Sequence, residues 1–148
     1  MKLSNLGIQN KSVWEEKGYK LPGFDRAAMA ERTRKDPTWI HFGAGNIFRA
    51  FQCNLAQRLL DGVLYDKGLI VAEGFDYEIV EKMYRPHDDL SVLVTLKSDG
   101  SVEKTVVGSI AESCILDSES DREFGRMKEI FANPSLQIAT FTITEKGY

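Results

Sequence analysis

The segment Trp39-Ile40-His41-Phe42-Gly43-Ala44-Gly45-Asn46-Ile47-Phe48-Arg49 has the layout of a strand, a tight turn and the start of a helix. A short apolar run leads into Gly-x-Gly, and an amphipathic helical pattern follows the second glycine. The diphosphate bridge of a dinucleotide needs such a place, because it binds bare backbone N–H groups near the positive end of a helix. The segment therefore predicts a phosphate-binding turn.

The two glycines of this turn have separate tasks. Gly43 permits the tight bend, and Gly45 lets the backbone approach the phosphates. Phe48 stands where the G-x-G-x-x-G fingerprint has its third glycine, and this bulk weakens the bare motif and predicts a shifted helix or dinucleotide. A tight turn that binds no ligand is the alternative interpretation of the glycines alone.

The residues that follow the turn are candidate phosphate ligands. Asn46 and Ile47 would offer backbone N–H groups, and Arg49 would reach a phosphate oxygen as a charged donor. His41 lies within the strand, where a core histidine with satisfied nitrogens is favoured over a catalytic one. The cofactor-binding set predicted from this segment is Gly43, Gly45, Asn46, Ile47, Phe48 and Arg49.

An acidic residue follows the second predicted strand. Glu73 comes directly after the continuously apolar run 69–72, where its carboxylate can accept hydrogen bonds from the adenosine ribose. That carboxylate would repel a ribose phosphate, so NAD is favoured over NADP. Asp76 competes for the ribose, although an N-cap of the next helix is the favoured interpretation of this residue. The spacing from Gly45 to Glu73 exceeds the usual twenty or so residues.

The element pattern predicts an α/β fold of Rossmann type, with a mostly parallel sheet, helices on both faces and an antiparallel hairpin insertion. Asp99-Gly100 between two alternating runs is the hairpin signal. We predict an N-terminal arm over 1–36 and a dinucleotide-binding domain over 37–148. The predicted strands are 38–42, 69–72, 90–97, 102–107, 108–116 and 136–144, and the predicted helices are 47–60, 76–84 and 120–132.

The carboxyl end of the last predicted strand is a third candidate site, because ligands of open α/β sheets bind outside the strand ends. Thr144 and Glu145 lie where a nicotinamide ring and a substrate carbonyl would meet, and Lys146 could hold an anion. A solvated loop is the alternative. Because a complete dinucleotide fold needs further crossovers, we expect the chain to be an incomplete N-terminal fragment.

The composition excludes several classes of protein. The 148 residues carry a net charge of −3, which is unfavourable for binding nucleic acid, and no apolar run is long enough to cross a membrane. Cys53 and Cys114 are expected to be free thiols of a cytoplasmic protein. His41 and His87 form no cluster of metal ligands, so no metal is predicted.

Three motifs together resemble one known family. Lys20-Leu21-Pro22, the run 41–50 and Thr142-Ile143-Thr144-Glu145-Lys146-Gly147-Tyr148 are similar, in this order, to the long-chain mannitol dehydrogenase family. Members commonly have Gly-x-Gly-x-x-x-Arg with a bulky residue near the third glycine position, so Phe48 is expected there. The motif around Gly43 looks most like the branch that interconverts fructuronate and mannonate.

The resemblance implies a metal-independent, NAD(P)-dependent enzyme that transfers a hydride between nicotinamide and a ketose or hexuronate carbonyl. It implies a Rossmann-type N-terminal domain and a helical C-terminal domain that carries the catalytic lysine in a K-x-x-x-x-N-x-x-H pattern. That pattern is absent from these residues, so no catalytic residue is predicted, Lys146 is not assigned that role, and this piece alone is expected to be inactive.

Several alternatives to the fructuronate reaction stay open. The first is a mannitol/fructose or tagaturonate/altronate dehydrogenase of the same family, with a small polyol or sugar acid as substrate. The others are a non-catalytic nucleotide-binding regulator and an interaction domain with a vacant turn. Without the helical domain, an apolar surface would be exposed and would favour self-association.

Overall fold

The computed structural model describes residues 1–143, and its larger sheet is entirely parallel. The four strands of this sheet are β2 (Trp39–Phe42), β3 (Leu69–Glu73), β6 (Ile110–Ile115) and β7 (Ile138–Phe141). Their order is β6-β3-β2-β7, so β2 and β3 occupy the centre. All five residues of β3 are buried, as its continuously apolar sequence predicts for a strand covered on both faces.

The predicted hairpin is confirmed, but it lies outside the parallel sheet. Its strands β4 (Ser91–Leu96) and β5 (Val102–Val107) pair antiparallel, and β1 (Tyr19–Lys20) adds to β5 in parallel. Gly100 has a φ of +82°, a left-handed conformation that glycine adopts without strain, which explains its place in the turn. The hairpin therefore forms a second, three-stranded sheet in the order β1-β5-β4.

Helices cover both faces of the parallel sheet, as predicted. The helices of the described residues are α1 (Lys11–Glu15), α2 (Arg26–Lys35), α3 (Asn46–Ala50), α4 (Gln52–Asp61), α5 (Tyr77–Ile79) and α6 (Asp121–Ala132), of which α1 packs on the hairpin region instead. Because successive side chains of a strand point to opposite faces, Leu69 and Val71 pack with α3 and α4, whereas Ile70 and Ala72 pack with α6. A π-helical turn (Val80–Tyr84) and 3₁₀ turns (Gly7–Gln9 and Arg85–His87) complete the helical segments described.

The helix predicted over 47–60 is interrupted at Phe51, which has φ −105° and ψ −71° between α3 and α4. Phe51 and Leu55 fall at helical spacing with Phe48, which would place them on one apolar face, but both are exposed. Phe48 and Cys53 are the buried anchors on the two sides of the break, and their five-residue spacing does not fit one straight helix. The break lets both anchors reach the core.

The helix predicted over 76–84 is also irregular, because it changes from α5 to the π-helical turn and then to a 3₁₀ turn. Asp88 and Asp89 follow with φ of 53° and 59°, which ends the helical segment in two left-handed residues. The π-helical turn carries the buried Tyr84 toward the sheet. Local π turns of this kind often accompany functional sites.

The first 36 residues pack against the rest of the chain. Met29 of α2 is fully buried beside Leu60, and Trp14 of α1 packs against Leu90 of the hairpin region. The Asp25 side chain caps α2 by accepting a hydrogen bond from the Ala28 N–H at 3.0 Å, as its sequence position indicates. The domain boundary at residue 36 stays a prediction.

Candidate functional site

Gly43 makes the predicted bend at the carboxyl end of β2. Its N–H donates to the Ala72 carbonyl at 2.9 Å, and its φ is +105°, a region that residues with a Cβ rarely adopt. A Cβ at this position would also lie 3.4 Å from the Thr142 carbonyl oxygen. The fold itself therefore requires a glycine at residue 43.

Gly45 differs from Gly43, because nothing in the described chain requires a glycine there. Its φ of −73° and ψ of −178° are ordinary extended values, and an ideal Cβ would meet no atom of the described residues within 4 Å. Gly45 is the N-cap of α3 and therefore has no capping side chain. The result is bare backbone facing open space, which is the kind of surface that a phosphate group can approach.

The start of α3 has exposed and buried sides. Asn46 and Ile47 are exposed, and their N–H groups precede the first intrahelical bond of α3, from Arg49 N–H to the Gly45 carbonyl at 3.3 Å. Phe48 is fully buried and stacks on His41 with ring centroids 4.3 Å apart. Phe48 is thus a packing residue beneath the turn, and only its backbone could face a ligand.

His41 is a core histidine, as expected. Its Nδ1 lies 2.8 Å from the Thr140 hydroxyl and its Nε2 lies 2.8 Å from the Thr142 hydroxyl, so each ring nitrogen has a hydrogen-bonding partner. Burial lowers the pKa of His41 to about 4. The ring is therefore neutral near pH 7, and it joins β2 to the end of β7.

Arg49 is half-buried beside the turn. Its Nη2 donates to the Asn46 side-chain oxygen, and its Cζ lies 5.6 Å from the centre of the Tyr84 ring. Its buried Nε has no hydrogen-bond partner within residues 1–143. Arg49 also lines a cleft of about 370 Å³ together with Asn46, Met83 and His87. Arg49 thus brings a positive charge to the cleft beside the turn.

Glu73 is engaged by main chain, which differs from its predicted role. The residue is only 8% exposed, and its Oε2 accepts a hydrogen bond from the Ala44 N–H at 2.7 Å. Its Oε1 accepts hydrogen bonds from the N–H groups of Phe75 at 2.9 Å and Asp76 at 3.3 Å. Both oxygens therefore hold the two turns together. The expectation that Glu73 presents its carboxylate to a ribose is corrected on this ground.

Tyr84 is a site residue that sequence reasoning missed. Its hydroxyl donates to the Ala44 carbonyl at 2.7 Å, and the side chain is only 2% exposed. Burial raises the pKa of Tyr84, so the hydroxyl keeps its proton. Its sequence position, near the end of a predicted helix and 40 residues from Ala44, gives no signal of this contact.

Asp76 is exposed and is the N-cap residue of α5, as the favoured interpretation of its sequence position predicts, but its side chain makes no capping hydrogen bond there. Its carboxylate follows the end of β3 by three residues. Thr144 and Glu145, the third candidate site, lie outside the described residues. Within the described range 1–143, no group of three potential metal ligands occurs, and no helix is long and apolar enough to span a bilayer.

No family model matches the chain. D-mannonate oxidoreductase of Thermotoga maritima is 45% identical over 148 residues, which is all of this chain and 27% of that protein. Mannitol 2-dehydrogenase of Cereibacter sphaeroides is 27% identical over 138 residues, which covers 86% of this chain and 25% of that protein. The chain thus spans about a quarter of the length of these relatives.

Solved structures show the same fold. Mannitol 2-dehydrogenase of Pseudomonas fluorescens, solved with NAD and D-mannitol, superposes with a TM-score of 0.75 at 23% identity. D-sorbitol dehydrogenase in substrate-free form gives the same TM-score of 0.75 at 20% identity. Each comparison covers 100% of this chain and 28% of the solved chain.

The fold is therefore that of the Rossmann-type dehydrogenases, as the element pattern predicts. The predicted resemblance to the long-chain mannitol dehydrogenase family is also confirmed. Relatives named D-mannonate oxidoreductase and mannitol 2-dehydrogenase cover this chain, and the first of them matches through its N-terminal region.

Proposed function

We propose that this chain is the coenzyme-binding part of an NAD-dependent oxidoreductase that transfers a hydride between nicotinamide and a sugar-acid carbonyl, of the fructuronate-to-mannonate type. The observation that carries the proposal is the bare backbone at Gly45. The fold does not require a glycine at this position, but a bound diphosphate would require one. The 45% identity to a protein named D-mannonate oxidoreductase supports the choice of substrate class.

The diphosphate would be held by the main chain at the start of α3. The N–H groups of Asn46 and Ile47 are the donors, and Gly45 removes the Cβ that would keep the phosphates at a distance. Arg49 adds a positive charge beside these donors, at the cleft that it lines with Asn46.

The adenosine ribose is assigned to Asp76. Its carboxylate is exposed at the end of β3, whereas the Glu73 carboxylate is buried and bound to main chain. A carboxylate accepts hydrogen bonds from both ribose hydroxyls and repels a phosphate on the ribose, so NAD is the proposed coenzyme in preference to NADP. Thr144 and Glu145 remain predictions for the nicotinamide end of the site.

When bound, the nicotinamide supplies or accepts the hydride. The residues of this chain hold the coenzyme and orient it at the carboxyl ends of β2 and β3, and none of them is assigned the exchange of the substrate proton. The division into an arm (1–36) and a dinucleotide-binding domain (37–148), followed in the whole protein by a helical substrate domain, belongs to the same proposal. So does a cytoplasmic location.

The test is a titration of NADH against this chain, followed by the fluorescence of the bound coenzyme. Gly45→Val should weaken NADH binding by more than about tenfold, because the branched Cβ occupies the path of the phosphates. Gly125→Val is the matched control, because a Cβ at Gly125 also meets no atom of residues 1–143 within 4 Å, apart from the backbone of its own helix. It should bind NADH like the wild type.

Two results would contradict the proposal. A folded wild-type chain that binds no NADH would favour an interaction domain with a vacant turn. A Gly45→Val affinity within about threefold of wild type, a difference below about 1 kcal/mol, would place the diphosphate elsewhere. Assays of the product of the whole gene with NADH and fructuronate, tagaturonate or fructose would separate the dehydrogenases from a non-catalytic regulator.

A further inference from the structure

The peptide groups on either side of Ala44, between the two glycines of the turn, are held from opposite sides. The Ala44 N–H donates to Glu73 Oε2 at 2.7 Å, and the Ala44 carbonyl accepts from the Tyr84 hydroxyl at 2.7 Å. Ala44 is itself fully buried, and both partners are buried beneath the turn. The two side chains thus fix the backbone at the middle of the turn, whereas no described residue covers the backbone surface at Gly45.

These two hydrogen bonds restrict rotation of the backbone at Ala44. The carbonyl of Ala44 belongs to the same peptide group as the N–H of Gly45, so fixing the carbonyl also fixes the direction of that N–H. A turn without these bonds would have to become ordered when a dinucleotide binds, and this ordering would lower the affinity. The bonds to Glu73 and Tyr84 make the ordering a property of the free protein.

Glu73 also joins the two turns of the proposed site. While one oxygen binds Ala44, the other accepts from the N–H groups of Phe75 and Asp76 in the turn after β3. A single buried carboxylate therefore fixes the distance between the turn proposed for the diphosphate and the turn proposed for the ribose. An aspartate would be one methylene too short to bridge the same groups.

We propose that Glu73 and Tyr84 are positioning residues that clamp the backbone at Ala44 and set the turn for dinucleotide binding. This inference rests on the proposed function. Neither residue touches the coenzyme. Their loss should weaken NADH and NADPH to the same degree, because both coenzymes contain the diphosphate. Loss of a ribose ligand would instead change the ratio of the two affinities.

The first experiment measures the affinities of NADH and NADPH for Glu73→Gln, Tyr84→Phe and the double variant. Glu73→Gln places an amide NH₂ against a backbone N–H and should weaken both coenzymes by about tenfold, the loss of one bond to a charged group. Tyr84→Phe keeps the ring beneath Arg49 and should weaken both by about fivefold. The fold-loss of affinity in the double variant should be smaller than the product of the fold-losses in the two single variants, because both bonds restrain the same backbone segment.

The controls make the same chemical changes away from the turn. Tyr65→Phe removes a hydroxyl bonded to Thr38, and Glu112→Gln changes a partly buried carboxylate paired with Arg126. Both should leave the coenzyme affinities unchanged. If Glu73→Gln and Tyr84→Phe bind NADH and NADPH as tightly as the wild type does, the clamp is overturned. It is also overturned if Glu73→Gln loses affinity for NADH but not for NADPH.

The second experiment needs no coenzyme. Hydrogen exchange of the Ala44 amide should be slow in the wild type and at least tenfold faster in Glu73→Gln, with the amide of Ile70 in β3 unchanged. Equal exchange at Ala44 in both proteins would overturn the clamp. If the wild type binds no NADH, the proposed function fails, and so does the role of the two bonds in dinucleotide binding. Hydrogen exchange at the Ala44 amide would still show whether Glu73 restrains this backbone segment. Should Glu73→Gln not fold, Tyr84→Phe tests the other end of the same contact.

Discussion

The turn after β2 and the turn after β3 lie side by side at one edge of the parallel sheet, but they are built differently. In the first turn, Ala44 is buried and its backbone is held by side chains from elsewhere in the chain. The second turn exposes its side chains, with Phe75 97% accessible and Asp76 exposed beside it. The first turn thus offers main-chain donors in a fixed geometry, and the second offers side chains.

This difference matches the two parts of a dinucleotide. A diphosphate has the same oxygens whatever is attached to it, so fixed N–H groups are enough to bind it. A ribose differs between coenzymes by one phosphate, and a side-chain carboxylate can distinguish the two. We infer that affinity resides mainly in the first turn and coenzyme preference in the second.

The largest effect is expected from Gly43→Val, which would break the first turn. A β-branched residue at φ +105° is strained even though its Cβ would make only an ordinary contact with the Thr142 carbonyl oxygen. We expect a loss of about 3 kcal/mol in the free energy of unfolding, measured in urea, and loss of NADH binding. Gly45→Val should leave stability nearly unchanged, so the two glycines separate a requirement of the fold from a requirement of the ligand. Equal stability losses at both glycines would contradict this separation.

Much of the fold could be predicted from the sequence, because it depends on local patterns. The run 69–72 is apolar without interruption and forms the buried centre of the sheet, and Asp99-Gly100 marks the hairpin. Ser120 accepts from the Glu123 N–H and caps α6, the helix predicted over 120–132. Each of these signals lies within a few residues of the structure that it determines.

The parts that were missed depend on contacts between distant residues. Gln57 is buried although it is polar, because its amide bonds to the Val106 carbonyl and the Gly108 N–H about 50 residues away. Glu73 was expected to face a ligand because its position after a strand permits this, but Ala44 takes its carboxylate. Nothing near Tyr84 in the sequence indicates which backbone carbonyl its hydroxyl will meet.

The next largest effect is a pH-dependent loss of stability at His41, which packs against Phe48 beneath the first turn. The folded-state pKa of His41, about 4, lies below its ordinary value of 6.5. As the pH falls below 6.5 the unfolded chain takes up the proton first, so this contribution to stability is present at pH 7 and is lost between pH 6.5 and 4. We expect His41 to account for a loss of about 2 kcal/mol at pH 4.5.

Urea unfolding at pH 7 and pH 4.5 measures this contribution when His41→Gln is compared with the wild type. The variant should be less stable at pH 7, because it gives up stacking on Phe48, but its stability should fall less between the two pH values. His87→Gln is the control, because His87 is less buried and has one bond at 3.2 Å, to the Leu3 carbonyl. An equal pH dependence in wild type and His41→Gln would show that His41 does not titrate in this range.

The smallest effect is expected in the second turn and concerns preference between coenzymes. Asp76→Ala should weaken NADH by about tenfold, since it removes charge-assisted hydrogen bonds to the ribose, and should leave NADPH unchanged or tighter, because a repulsive charge is gone. Glu78→Ala is the matched control: Glu78 is also exposed on α5, and it pairs with Lys82. Fluorescence titrations of both coenzymes give the ratio of affinities directly. If Asp76→Ala loses the same affinity for NADH and for NADPH, the ribose does not bind at this turn. The assignment of coenzyme preference to the second turn would then be wrong even if the diphosphate binds at Gly45.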